Sequence, residues 1–262
     1  MSLVWGLLYD LVRAPAFLLL LLLGRADKKA VWIPFGRIAA FALSARATAT
    51  LLLLNLLCFA VVRALHWPQA RFLATFAFSP PALWQGHWPA LFLHVFAHAD
   101  GAHLIGNLVA LFVFGRAVER FLGPARLFLA YGLAAVTATL CSALAQGLSG
   151  QYVPTLGASG AVAGLIALGV LLSPLYITLE ALVPLPLFVV GWLAMATDVL
   201  ALWSATRGSV DHPAHLGGYL SVLLVVRLLS PKLRAQAGAG FWLNLLTLAF
   251  VALLFAWKQG LF

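Results

Sequence analysis

The chain has 262 residues, of which 64% are hydrophobic and only 9% charged, whereas soluble domains carry roughly 25% charged residues. That composition excludes an ordinary water-soluble enzyme and points to an all-α polytopic membrane protein. The net charge of +9 does not mark a nucleic-acid partner, because the cations gather at the ends of apolar segments rather than along one face.

Residues 3–23 are apolar but contain Asp10, Arg13 and Pro15, and read as a helix lying in the membrane interface or spanning it. A cleaved signal peptide fits less well, because the charges sit inside the run and Gly24-Arg25 ends it without a small-residue cleavage site. A basic stretch then leads to Arg46, so residues 1–46 are expected to form an N-terminal apolar helix and a basic cytoplasmic segment. Nearly charge-free blocks follow at 48–62, 104–115, 127–147, 158–172, 185–203 and 216–226. A crossing helix needs about 20 residues. Extended by their flanks, the blocks predict a six-helix core over 47–230. Residues 231–262 add a basic loop and a further span around 241–257.

Residues 66–102 are too rich in Trp and Phe for open water and too interrupted by Pro80, Pro81, Gly86 and Pro89 for a span. A segment partly sunk in the outer leaflet accommodates both facts. Arg25, Lys28, Lys29, Arg37, Arg46, Arg116, Arg120, Arg126, Arg227, Lys232 and Arg234 fall on one side of this arrangement. By the positive-inside rule that side is cytoplasmic, and the loops carrying the candidate site face the non-cytoplasmic side. Cys58 and Cys141 lie within apolar spans, lack metal-ligand spacing and read as packing residues.

Within this apolar background a few polar residues stand out. His103 and Asn107 are four apart at the start of a span and therefore share a helix face. Such groups are expensive in lipid and should point into the bundle, either to tie helices together or to serve chemistry. His94 and His98 share the same spacing, which aligns two imidazoles, yet no third metal ligand is evident and no metal is expected. Gly157-Ala158-Ser159-Gly160 opens an apolar segment, placing Ser159 where unpaired backbone N–H groups and the positive helix end would meet an oxyanion. A lone intramembrane serine is ordinarily a packing residue. His215, in Ala214-His215-Leu216-Gly217-Gly218, supplies the general base that serine lacks on its own, on a helix whose glycines permit close approach.

Together these residues resemble the rhomboid family of intramembrane serine proteases. The resemblance covers roughly residues 48–226 and rests on His94, His98, His103 and Asn107, on Gly115, Glu119 and Gly123, on Gly157, Ser159 and Gly160, and on Asp211-His212-Pro213-Ala214-His215-Leu216-Gly217-Gly218. It implies a Ser159–His215 dyad, with His103 and Asn107 joining the Ser159 amide around the oxyanion, and transmembrane proteins in the lipid bilayer as substrates. It implies no cofactor and no acid completing a triad, leaving Asp211 a loop residue and Glu119 a structural carboxylate bonding backbone donors. This chain departs from the family pattern in three places. Trp88-Pro89 stands where a Trp-Arg pair is usual, Ala163 replaces an aromatic beside the histidine and is expected to leave more room there, and Val222 replaces a glycine. A non-catalytic rhomboid-like protein that binds transmembrane clients is the alternative, and a channel lined by His and Asn is a third. The presence of both nucleophile and base favours the protease.

Overall fold

Residues 44–178, 185–203 and 210–259 of the chain are described in a computed structural model, with Leu23, Gly24, Gly36 and Ala40. The expected interfacial or spanning helix at 3–23 and most of the basic segment after it lie outside the described residues.

The described chain is helical. In order it forms α1 (Arg46–Ala64), three short helices of the long loop, α2 (Gln69–Phe76), α3 (Pro80–Trp84) and α4 (Ala90–Leu93), then α5 (Gly101–Leu122) and α6 (Pro124–Ser149). After these come α7 (Ser159–Leu172), α8 (Leu187–Trp203), α9 (His212–Leu220), α10 (Val222–Arg227) and α11 (Pro231–Lys258). Extended pairing among the described residues is limited to two isolated bridges, Phe78 with Thr155 and Ile177 with Pro186. Local chemistry sets the helix starts. Asp100 accepts from the His103 N–H to cap α5, Asp211 accepts from Ala214 N–H to cap α9, and Ser230 caps α11 just before Pro231.

Among the described residues four helices, α1, α5, α6 and α11, are long and apolar enough to cross a bilayer. Their outer faces carry exposed Leu53, Leu57, Leu140, Leu144, Phe250 and Leu253, an apolar girdle that only lipid would cover well. The chain is an integral membrane protein. The block at 216–226 is not one rod but two, broken at Ser221 between α9 and α10. Residues 231–234, read from sequence as loop, form the first turn of α11.

α7 is the centre of the bundle. All of its residues except Ser159 and Leu171 are buried. Its 14 residues span only about 21 Å at 1.5 Å each, less than the hydrocarbon thickness of about 30 Å, so at least one of its ends lies below a membrane surface. Glycines let the neighbours close in. A Cβ on Gly218 of α9 would lie 2.0 Å from the Gly160 carbonyl oxygen, and one on Gly217 2.4 Å from that of Thr137 in α6. A Cβ on Gly164 would meet Ala134 at 2.4 Å. On the far flank Gly240 of α11 rests on the Leu171 backbone, and Asn244 accepts from Trp192 Nε1 of α8 (2.8 Å) while donating to the Val170 carbonyl (3.0 Å). α11 thereby pins α8 to α7.

Glu119, at the opposite end of the bundle from Ser159, is buried, and its oxygens accept from Ala47 N–H (2.9 Å), Thr48 N–H (2.8 Å) and the Thr48 hydroxyl (2.7 Å). It caps the otherwise uncapped start of α1. Glu119→Ala would strand these donors, and the expected result is a loss of stability on the order of 3 kcal/mol, read as a lower thermal midpoint in detergent. Glu119→Gln, which keeps one acceptor, should lose less. An unchanged midpoint in both would contradict the capping role.

Candidate active site

The turn before α7 is built for close approach. Gly157 has φ 115°, a conformation that favours glycine, and its N–H donates to the His94 carbonyl at 2.8 Å. A Cβ there would stand 2.6 Å from the His103 ring and 3.8 Å from the Asn107 amide nitrogen. The two polar side chains of α5 therefore converge on the backbone that presents Ser159. Asn107 donates to the His103 carbonyl, four residues back, at 3.0 Å. The helix then passes through a π-turn at Leu111–Gly115, which re-registers the face carrying His103 and Asn107 relative to the turn carrying Glu119.

Ser159 is the first residue of α7, half-buried, at the wall of a cavity of about 1130 Å³. His103, Asn107, Gly157, Thr155 and His215 line the same cavity. His215 Nδ1 lies 2.8 Å from Asp198 Oδ1. A carboxylate only accepts, so Nδ1 carries a proton, and whenever the ring is neutral Nε2 presents a lone pair. That Nε2 is buried without a hydrogen-bond partner. Ser159 does not bond it in this arrangement, a gap common in sites without substrate.

His94 and His98 face other partners. His94 Nδ1 donates to the Ala90 carbonyl (2.9 Å) and its Nε2 meets the Thr139 hydroxyl (3.2 Å). His98 packs edge-on to His103 with centroids 5.0 Å apart. Burial pushes the His98 imidazole down to about 4, so the ring is neutral near pH 7 and its Nε2 accepts the Ala158 N–H in a long contact of 3.5 Å.

A family model described as the Rhomboid domain matches residues 85–232, which include every residue of this cavity just named. The chain belongs to the rhomboid family. Rhomboid-like protein 11, chloroplastic, from Arabidopsis thaliana is 36% identical over 152 residues, covering 55% of this chain and 53% of that protein. RHOMBOID-like protein 12, mitochondrial, from the same plant is 31% identical over 150 residues, 51% of this chain and 44% of its own. Rhomboid protease GluP of Bacillus subtilis is 32% identical over 137 residues, 52% and 25% of the two chains. This chain thus spans about half or less of the length of these relatives.

Two expectations from sequence are corrected in this rhomboid. The first is the absence of an acid at the histidine. Asp198, inside the block read as nearly charge-free, has one oxygen shared by His215 Nδ1 and His212 Nδ1 (2.7 Å), while the other accepts the Tyr219 hydroxyl at 2.5 Å. Its isolation in an apolar span was the available signal, since a carboxylate placed there needs partners. The donor atoms of Asp198, His212 and His215 lie within 4.8 Å of one another, close enough to share a metal ion. Hydrogen bonding already accounts for all three, because both imidazoles donate to a carboxylate that needs donors. The second concerns Ala163, which does not widen the space beside His215. It is buried against the position of Gly218 and is absent from the cavity lining.

The Asp211 carboxylate does not bond the His215 ring; only its backbone carbonyl meets His215, accepting that residue's N–H (3.2 Å). It caps α9, and its Oδ2 accepts from Ser142 (2.5 Å) and Thr155 (2.8 Å). Gln146 Nε2 joins at Ser142 (3.1 Å) and its Oε1 accepts the Val153 N–H (3.1 Å). This network fastens the loop before Ser159 to α6 and α9. Sequence reasoning passed over Ser142, Gln146 and Thr155, since single small polar residues have no spacing that marks them.

Proposed function

We propose that this rhomboid is an intramembrane serine endopeptidase cleaving transmembrane segments of membrane-protein substrates with a Ser159–His215 dyad. The observation that carries the reading is the buried Nε2 of His215, without a hydrogen-bond partner, in the same cavity as a serine at a helix N-terminus. GluP, one of the relatives, is named a rhomboid protease.

Ser159 Oγ attacks the carbonyl carbon of the scissile peptide while its proton passes to His215 Nε2. A C–O bond forms and the carbonyl electron pair moves onto oxygen, where the Ser159 N–H, at the positive end of α7, stabilises it with donors from His103 and Asn107. Collapse breaks the C–N bond and His215 returns the proton to the leaving amine. A water deprotonated by the same nitrogen then releases the acyl group and restores Ser159. Ser159 and His215 lie at the ends of α7 and α9 opposite the basic residues Arg46, Arg116, Arg120 and Arg227, which supports an active site open to the non-cytoplasmic side.

An intact substrate helix keeps its carbonyls bonded and shielded, so local unwinding must precede attack. In proteoliposomes, single-span substrates with Gly or Pro near the outer end should be cut faster than uniformly Leu-rich versions, with no cutting by Ser159→Ala. Equal rates across the series would remove unwinding from the account, and equal products from wild type and Ser159→Ala would remove the protease reading.

A further inference from the structure

Asp198 is a charge in the middle of an apolar helix, and its surroundings are arranged around it. It is 5% exposed. An ionisable group at such a place costs at least about 2.5 kcal/mol unless it is satisfied. Its three donors, His212, His215 and Tyr219, occur at intervals of three and four along α9, on one face. The carboxylate therefore joins α8 to α9 and also fixes the ring on which the proposed dyad depends.

We infer that Asp198 is the positioning residue of this site, holding His215 in the Nδ1–H tautomer so that Nε2 is left free to take the Ser159 proton. This rests on the proposed protease reading. A dyad histidine without such a partner can rotate and can carry its proton on either nitrogen, and only one tautomer is a base towards serine. Asp198 removes that freedom, and its charge favours the imidazolium formed when Ser159 attacks. It takes no proton itself. Sharing one oxygen with His212 adds a second strut, so that the imidazole of His215 cannot turn without disturbing the α8–α9 contact.

The test uses the full chain in detergent and in proteoliposomes. For Asp198→Asn the expected result is kcat at least about 100-fold lower, with KM within about threefold of wild type. The acidic limb of its pH–rate profile should also move to lower pH, because an imidazolium beside a neutral amide is less favoured than one beside a carboxylate. Tyr219→Phe, which removes a strut on the other oxygen without touching His215, should lose far less activity. If wild type is active and Asp198→Asn keeps both its rate and its profile, or if Tyr219→Phe loses as much, Asp198 is a helix clamp and the inference is overturned. Spectra of 15N-histidine-labelled wild type give a reading that does not depend on a variant folding. A protonated Nδ1 and unprotonated Nε2 at His215 support the inference, and the opposite tautomer overturns it. If wild type is itself unreactive at Ser159, the protease reading fails, while the tautomer of His215 still reports on Asp198 alone.

Discussion

Ser159→Ala and His215→Ala are each expected to abolish cleavage of a transmembrane substrate, and the double variant to be no worse than either single one. Nucleophile and base act as one unit, so the first loss removes what the second would have cost. The two should differ in stability. Among the described residues the Ser159 hydroxyl has no hydrogen-bond partner that its loss would strand, and removing it should leave the thermal midpoint close to wild type. His215→Ala deprives Asp198 of one of three donors and should melt earlier. Turnover and detergent melting of the four proteins check both statements. Residual cleavage by Ser159→Ala near the wild-type rate would sink the dyad.

Gly218→Val is expected to prevent assembly of the site altogether. The Gly218 Cβ position lies 2.0 Å from the carbonyl oxygen of Gly160 and 2.9 Å from the Ala163 Cβ, so the obstacle is helix backbone and not the flexible end of a side chain. Overpacking ordinarily costs about 1–3 kcal/mol, and this contact should exceed that because α9 has to leave α7. The two helices carry His215 and Ser159, so the same displacement separates base from nucleophile. Gly132→Ala is the control, since nothing lies within 4 Å of a Cβ there and it lies within α6. It should be neutral or slightly stabilising. Melting curves of both variants test the claim, and a Gly218→Val protein as stable and active as wild type would contradict the close packing.

Much of this was legible in the sequence because lipid makes the pattern strict. Apolar length gave the helices, and the scarcity of polar residues made Ser159, His215, His103 and Asn107 conspicuous. Two kinds of feature were not legible. The break at Ser221 and the helical turn at 231–234 depend on tertiary contact and capping rather than on hydropathy. Asp198 stood in plain view, but its role depends on α8 lying against the face of α9 that bears His212, His215 and Tyr219. No spacing along the chain between residues on different helices announces that. The near neighbour Asp211, four residues before His215 and so the more obvious acid by spacing, caps α9 and fastens the preceding loop instead.

The most direct test of the central claim is labelling of the purified protein by a serine-reactive fluorophosphonate. The account predicts labelling of wild type at Ser159, with loss of the label in both Ser159→Ala and His215→Ala. A folded wild-type protein that takes no label, or a label that persists in Ser159→Ala, would contradict it.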